Sequence, residues 1–259
     1  MKRGVPVIIF SRISALGEEI DVFPISALPG NYKDYIDVRD SSVSLTFLMP
    51  SLRADISVKS FFNTGNLREN YAASALAAVG FLVYIRGLPL DEVTVETPVG
   101  IFEVIRAERN AELGVLLRKC KFLCSKTLKY AKSIEICATE MLTKCGVVRI
   151  FVCPDADSFS AEALSVLSLG DDGENVSASV ALSVHEGYAK MKLNRVNSDK
   201  ESPLLDAILA SASYIFEVYH RLEPIELRLL GVNYRVSLYG GELLVSAPIS
   251  FMRFGTPYL

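Results

Sequence analysis

The sequence contains no tryptophan and only two histidines, His185 and His220, in 259 residues. Neither histidine sits beside a nucleophile motif, so the common histidine-based hydrolase arrangements find no support. Charge is sparse as well: 22% of residues are charged and the formal net charge is −3. That balance leaves no basic footprint for nucleic acid or an anionic bilayer, and neither is expected as a partner. Long apolar runs are missing. No window approaches the 18 or so uninterrupted apolar residues that a spanning helix needs. The opening MKRGVPVIIFSR has too short an apolar core for a signal peptide, and Val5–Phe10 reads better as a buried strand. The five cysteines (120, 124, 137, 145 and 153) are odd in number and follow no disulfide or zinc spacing. They read as reduced structural thiols, which points to a cytoplasmic protein without a metal site. Asp155, Asp157, Asp171 and Asp172 lack the spacing and closing glutamate of a calcium loop.

Half of the residues are hydrophobic, and the length suits two domains of about 130 residues. Strand-like runs dominate. VSLTFL (43–48), ISVKSFF (56–62), VTVETP (93–98) and GIFEVIR (100–106) are rich in β-branched and aromatic residues. Further runs lie at 147–153, 175–184, 188–196, 225–230, 234–238 and 242–247, whereas 108–132 is charged with only weak strands. A helix is predicted from about Asn70 to Arg86. Its apolar residues cover nearly all faces, the mark of a buried helix. A short helix is predicted over 157–167 with Ser158 or Ser160 as N-cap, and a long one from Pro203 to about Arg221.

The order of strands, buried helix and tight strand pair occurs twice. Val93, Val95, Thr97, Phe102 and Val104 are matched by Ile225, Leu227, Leu229, Tyr234 and Val236, each 132 residues later. A repeat of this length is a lobe rather than a solenoid unit. The expected fold is α+β: two pseudo-symmetric lobes, 1–130 and 131–259, each a mostly antiparallel sheet curled around a central buried helix. Two helix N-termini would then face one cleft. A helix N-terminus favours anions, so a small acid is the expected ligand.

The stretch FFNTGNLRENYAASALAAVGFLVYIRGL (61–88) resembles the active-site segment of the diaminopimelate epimerase family, within a wider superfamily of cofactor-independent epimerases and isomerases. That family carries F-N, about eight residues, then C-G-N-G-A-R-C at the head of a buried helix that ends near K-G-L. Here Phe62-Asn63 precedes Ala72-Ala73-Ser74-Ala75, and Arg86-Gly87-Leu88 closes the helix. VTVETPVGIFEV is similar to the family's next hairpin. Asn175-Val176 resembles its N-V, Leu193-Asn194-Arg195 its E-R, and LLVSAPISFMRF (243–254) its closing strand. The likeness covers residues 43–259; the first 40 match poorly.

The resemblance implies a pyridoxal-phosphate-independent epimerase fold in which two helix-head cysteines exchange the α-proton of an amino acid. It makes Asn63, Ala73, Ser74, Asn175 and Arg195 substrate-contacting positions. It also exposes a departure. Ala72 stands where the first cysteine belongs, and Ser202–Asp206 holds no cysteine where the second belongs. Alanine cannot move a proton, so the family's thiol chemistry is not expected. Two readings follow. In one, the chain keeps the shape of the site and binds a small carboxylic or amino acid without catalysis. In the other, it is an isomerase in which Asp206 is the base, with Glu69 or Ser74 opposite. Each residue also has a plain structural role: Asp206 complementing a helix dipole, Asn63 in a turn, Arg195 paired at the surface, Ser74 packing. An apolar stretch at Phe251–Phe254 could mediate a homodimer.

Overall fold

A computed structural model describes residues 10–24, 44–61, 71–106, 112–130, 134–144, 146–168, 176–195 and 203–255. Its contacts divide the chain into two units, Met1–Leu116 with Ser246–Leu259, and Leu117–Val245. The sequence reading put the break after residue 130 and kept the C-terminus in the second lobe. The reason for the difference is pairing: the last strand returns to the first strand of unit 1.

Unit 1 contains β1 (Phe10–Ala15), β2 (Glu18–Pro24), β3 (Ser44–Met49), β4 (Ile56–Phe61), helix α1 (Ala72–Gly80), β5 (Glu92–Thr97), β6 (Gly100–Arg106) and β7 (Leu113–Leu117). Unit 2 contains β8 (Lys121–Tyr130), β9 (Ile134–Leu142), β10 (Val147–Val152), α2 (Ala161–Ser168), β11 (Val176–Val184), β12 (Tyr188–Arg195), α3 (Pro203–Val218), β13 (Ile225–Leu229), β14 (Val232–Tyr239) and β15 (Glu242–Ser246). β16 (Ser250–Gly255) then pairs with β1.

Within unit 1 the strand order is β16-β1-β2-β3-β4-β5-β6-β7; within unit 2 it is β8-β9-β10-β11-β12-β13-β14-β15. Both run through the same succession of directions. The first two pairings are antiparallel, the third parallel, the fourth antiparallel, the fifth parallel and the sixth antiparallel. The registers agree as well. Val93↔Val104 and Val95↔Phe102 in unit 1 match Ile225↔Val236 and Leu227↔Tyr234 in unit 2, each 132 positions later.

The parallel pair β4–β5 cannot be joined by a tight turn, and α1 makes the crossover. Ala, Ser and Gly over most of its length let strand backbones come close. α1 packs against β1 to β6, and every residue from Ala72 to Gly80 is buried. The expected helix over 70–86 is shorter in its α form, because Phe81–Ile85 continues as a π-helical turn. α3 is the corresponding crossover between the parallel strands β12 and β13. The predicted helix over 157–167 is split into a 3-10 turn, Ala156–Ser158, and α2. The N-cap of α2 is Ser160, whose Oγ accepts from the Ala163 N–H at 2.9 Å.

The β1–β2 and β13–β14 hairpins turn on Leu16-Gly17 and Leu230-Gly231, with φ of 50° and 78°, and 51° and 78°. These are two-residue turns with both residues left-handed, a conformation that glycine takes freely and leucine resists. Most of the strand expected at Val5–Phe10 lies outside the described residues. The expected closing strand is two strands, β15 and β16, separated around Pro248.

Candidate functional site

The site expected from the sequence is built on the heads of α1 and α3. At α1 the chain enters through Tyr71, whose backbone is helical and whose side chain makes no capping bond. The Ala75 N–H donates to the Tyr71 carbonyl at 2.8 Å, closing the first turn. Tyr71, Ala72, Ala73 and Ser74 are all fully buried, and no acidic side chain lies in this turn. The positive end of the helix dipole is therefore enclosed in unit 1 without a protein carboxylate in the first turn. Ala72, the position that the resemblance gives to the first cysteine, places a buried methyl group in this turn.

At α3 the first turn carries Asp206, 5% exposed. An aspartate there complements the helix dipole, and its burial sets it apart from an ordinary surface cap. Asn63, Glu69 and Asn175 lie outside the described residues. Arg195 ends β12, opposite Ala178 of β11, and its side chain is likewise outside the described set.

None of the four cysteines among the described residues lies in the first turn of α1 or α3. Cys120 is buried beside the middle of α3, and its backbone N–H donates to Ser213 Oγ at 2.9 Å. Burial, with Asp206 and Glu217 adding to it and against the Ser213 bond, pushes its thiol up to about 12. Burial and then Asp155 likewise raise Cys153. Cys137 is exposed. Cys124 is partly buried and donates to Glu140 Oε2 at 3.4 Å. Among the described residues, no group of three or more His, Cys, Asp and Glu side chains could hold a metal ion. No helix among them is long and apolar enough to cross a membrane.

Two ion pairs, one half-buried and one fully buried, carry no mark in the sequence. On unit 1, Arg12 Nε and Nη2 donate to the buried Asp21 at 2.8 and 3.1 Å. On unit 2, Arg149 Nε donates to Glu140 Oε1 at 2.7 Å, with both side chains buried, and Lys126 Nζ lies 3.3 Å from Oε2. The pairs occupy matching places, β1–β2 and β9–β10, with acid and base exchanged. No sequence signal marks them, because each pair joins residues nine apart across a turn and sits within an apolar run.

Structures of known proteins with the same chain course settle the fold. A PhzC/PhzF-type phenazine biosynthesis protein from Clostridium difficile superposes with a TM-score of 0.70, covering 97% of this chain and 100% of that one at 9% identity. This chain has the PhzF-like fold. An Enterococcus faecalis protein of the PhzF family gives 0.66 over 98% and 100% at 10% identity. A hydroxyproline epimerase from Agrobacterium vitis, solved with trans-4-hydroxy-L-proline bound, gives 0.58 over 97% and 92% at 12% identity. No family model matches the sequence, and no curated protein sequence does. The likeness therefore extends to the fold that PhzF and hydroxyproline epimerase structures share. It does not single out the diaminopimelate epimerase family.

Proposed function

We propose that this PhzF-like chain is a divergent relative of the cofactor-independent epimerases and isomerases that binds a small carboxylic or amino acid at the head of α1, without thiol acid–base chemistry. The observation that carries this reading is the first turn of α1: buried, free of acidic side chains, and occupied at the proton-transfer position by Ala72. An enclosed helix head favours a carboxylate. An alanine can shape such a site but cannot titrate. The matching strand succession and hairpin registers of the two units support an origin by internal duplication.

The test pairs binding with exchange. The protein is titrated with a panel of small hydroxy and amino acids, including trans-4-hydroxyproline, and each acid is incubated with it in D2O while NMR follows the α-proton. Binding of at least one acid without α-deuteration is expected. If no acid binds, the reading fails.

A second reading rests on Asp206, buried in the first turn of α3. There the carboxylate removes the α-proton, and deuterium enters the bound acid. This version requires that Asp206→Asn abolish exchange in a protein that otherwise still folds.

A further inference from the structure

Unit 2 begins with a strand that is paired on one edge. β8 is first in the strand order of the unit, and β9 lies along one side of it. No strand lies along its other side among the described residues. The strand is firmly held. The Cys120 N–H just before it is tied to Ser213 of α3, and Leu128 packs against the cluster of Ala138, Phe151 and Leu164. A strand points the N–H and C=O of alternate residues to each side. About half of β8 therefore presents main-chain groups to a further strand.

The fold does not require so long an edge. β16 holds the same place in the strand order of unit 1 and has 6 residues, whereas β8 has 10. Long edges invite pairing, and proteins blunt them with short strands, proline, bulges or charge. β8 contains no proline, and its one irregularity lies near its start, between Phe122 and Cys124. Phe122 and Leu123 are left exposed there, and Ser125 and Thr127 are exposed further along.

Charge marks this edge, and it is of one sign. No aspartate or glutamate occurs between Glu112 and Glu135, whereas Arg118, Lys119, Lys121, Lys126, Lys129 and Lys132 do, in a chain of net charge −3. Little of this is neutralised locally. Arg118 is 3.9 Å from Glu242, and both are exposed, so the pair is weak. Lys126 reaches Glu140, but that carboxylate already holds Arg149, and the three together keep one positive charge. Lys119 and Lys121 make no ion pair among the described residues, and Lys121 is exposed.

We propose that the outer edge of β8 receives an acidic, extended segment of a partner protein, which adds a strand to the unit 2 sheet. The main-chain groups of the edge supply the pairing, and the lysines select the partner by charge. A second copy of β8 is a poor occupant, because two lysine-bearing strands would repel across the pair. A nucleic acid would meet the lysines but has no row of alternating N–H and C=O groups to continue the ladder. The inference stands independently of the acid site at α1.

The test uses three fluorescent peptides on the intact protein. In the first, glutamate alternates with valine and threonine over the length of β8. The second has the same charge but prolines in place of the valines, and the third has lysine for glutamate. The first is expected to bind, more weakly as salt is raised, and the other two at least roughly tenfold more weakly. Bound peptide should slow amide exchange within residues 121–130. Lys119→Glu combined with Lys121→Glu should weaken binding roughly tenfold, with the melting temperature of the parent as the control for folding. Equal binding of the proline peptide would show attraction by charge alone and overturn the proposal. So would failure of the first peptide to bind, unchanged exchange in β8, or a protein whose edge is already occupied by a second copy in sedimentation and exchange measurements.

Discussion

Glu140→Gln is the substitution whose consequence can be worked furthest. Glu140 and Arg149 have side-chain exposures of 3% and 2%, and their bond is 2.7 Å. The glutamate also accepts from Cys124 and lies 3.3 Å from Lys126 Nζ. Glutamine keeps the size of the side chain and removes the charge, so Arg149 is left buried with only neutral acceptors from this position. Breaking one side of a buried pair typically costs about 3–5 kcal/mol. For a chain of this length that corresponds to a drop of roughly 10 °C in melting temperature.

The pH dependence carries a second signature. Burial raises the Glu140 pKa, but the bonds from Arg149, Cys124 and Lys126 outweigh it and hold the carboxyl below its ordinary value of 4.5. A depressed folded pKa means that the stabilisation is complete above the unfolded value and is lost as pH falls through the folded one. The variant should therefore lose most stability near neutral pH and converge on the parent in acid. Urea titrations between about pH 3 and pH 7 measure both effects. Pairing the change with Arg149→Met should restore much of the loss, because a neutral apolar pair carries no desolvated charge. A Glu140→Gln protein within about 1 kcal/mol of the parent at neutral pH would refute the argument that this pair is buried and mutually dependent.

Two other outcomes are expected. With its thiol pushed up to about 12, Cys120 should resist iodoacetamide in the folded protein at pH 8, while the exposed Cys137 reacts; peptide mass spectrometry after timed quenching reads the order, and equal rates would contradict the burial of Cys120. Gly80→Ala adds a methyl group 3.4 Å from Ile249 Cδ1, a flexible side-chain end, in a helix where glycine is the poorer former. It should leave stability unchanged or raise it by up to about 1 kcal/mol in urea titration, and a clear loss would show that Ile249 cannot yield.

The sequence alone was enough for whatever depends on local pattern. A helix apolar on nearly every side is a buried one, so the pattern over 70–86 predicts a covered helix, and Ala72–Gly80 is buried throughout. Hydrophobic spacing carried the second hairpin 132 positions from the first, and the registers agree pair for pair. β8 and β9 were hidden. In β9 the buried Thr139 and Glu140 break the apolar alternation that marks a strand, and their partners arrive from the neighbouring strands β8 and β10.

Tertiary structure decided the rest, because pairing across strands is not written in any one of them. It returned β16 to β1 and so moved the boundary between the units. It set two ion pairs of opposite sense, Arg12–Asp21 and Glu140–Arg149, in matching places of the two units. Ser11, Thr46 and Ser60 are unremarkable in three separate strands. Only the registers of β1 to β4 place them in one buried row on the face that α1 covers.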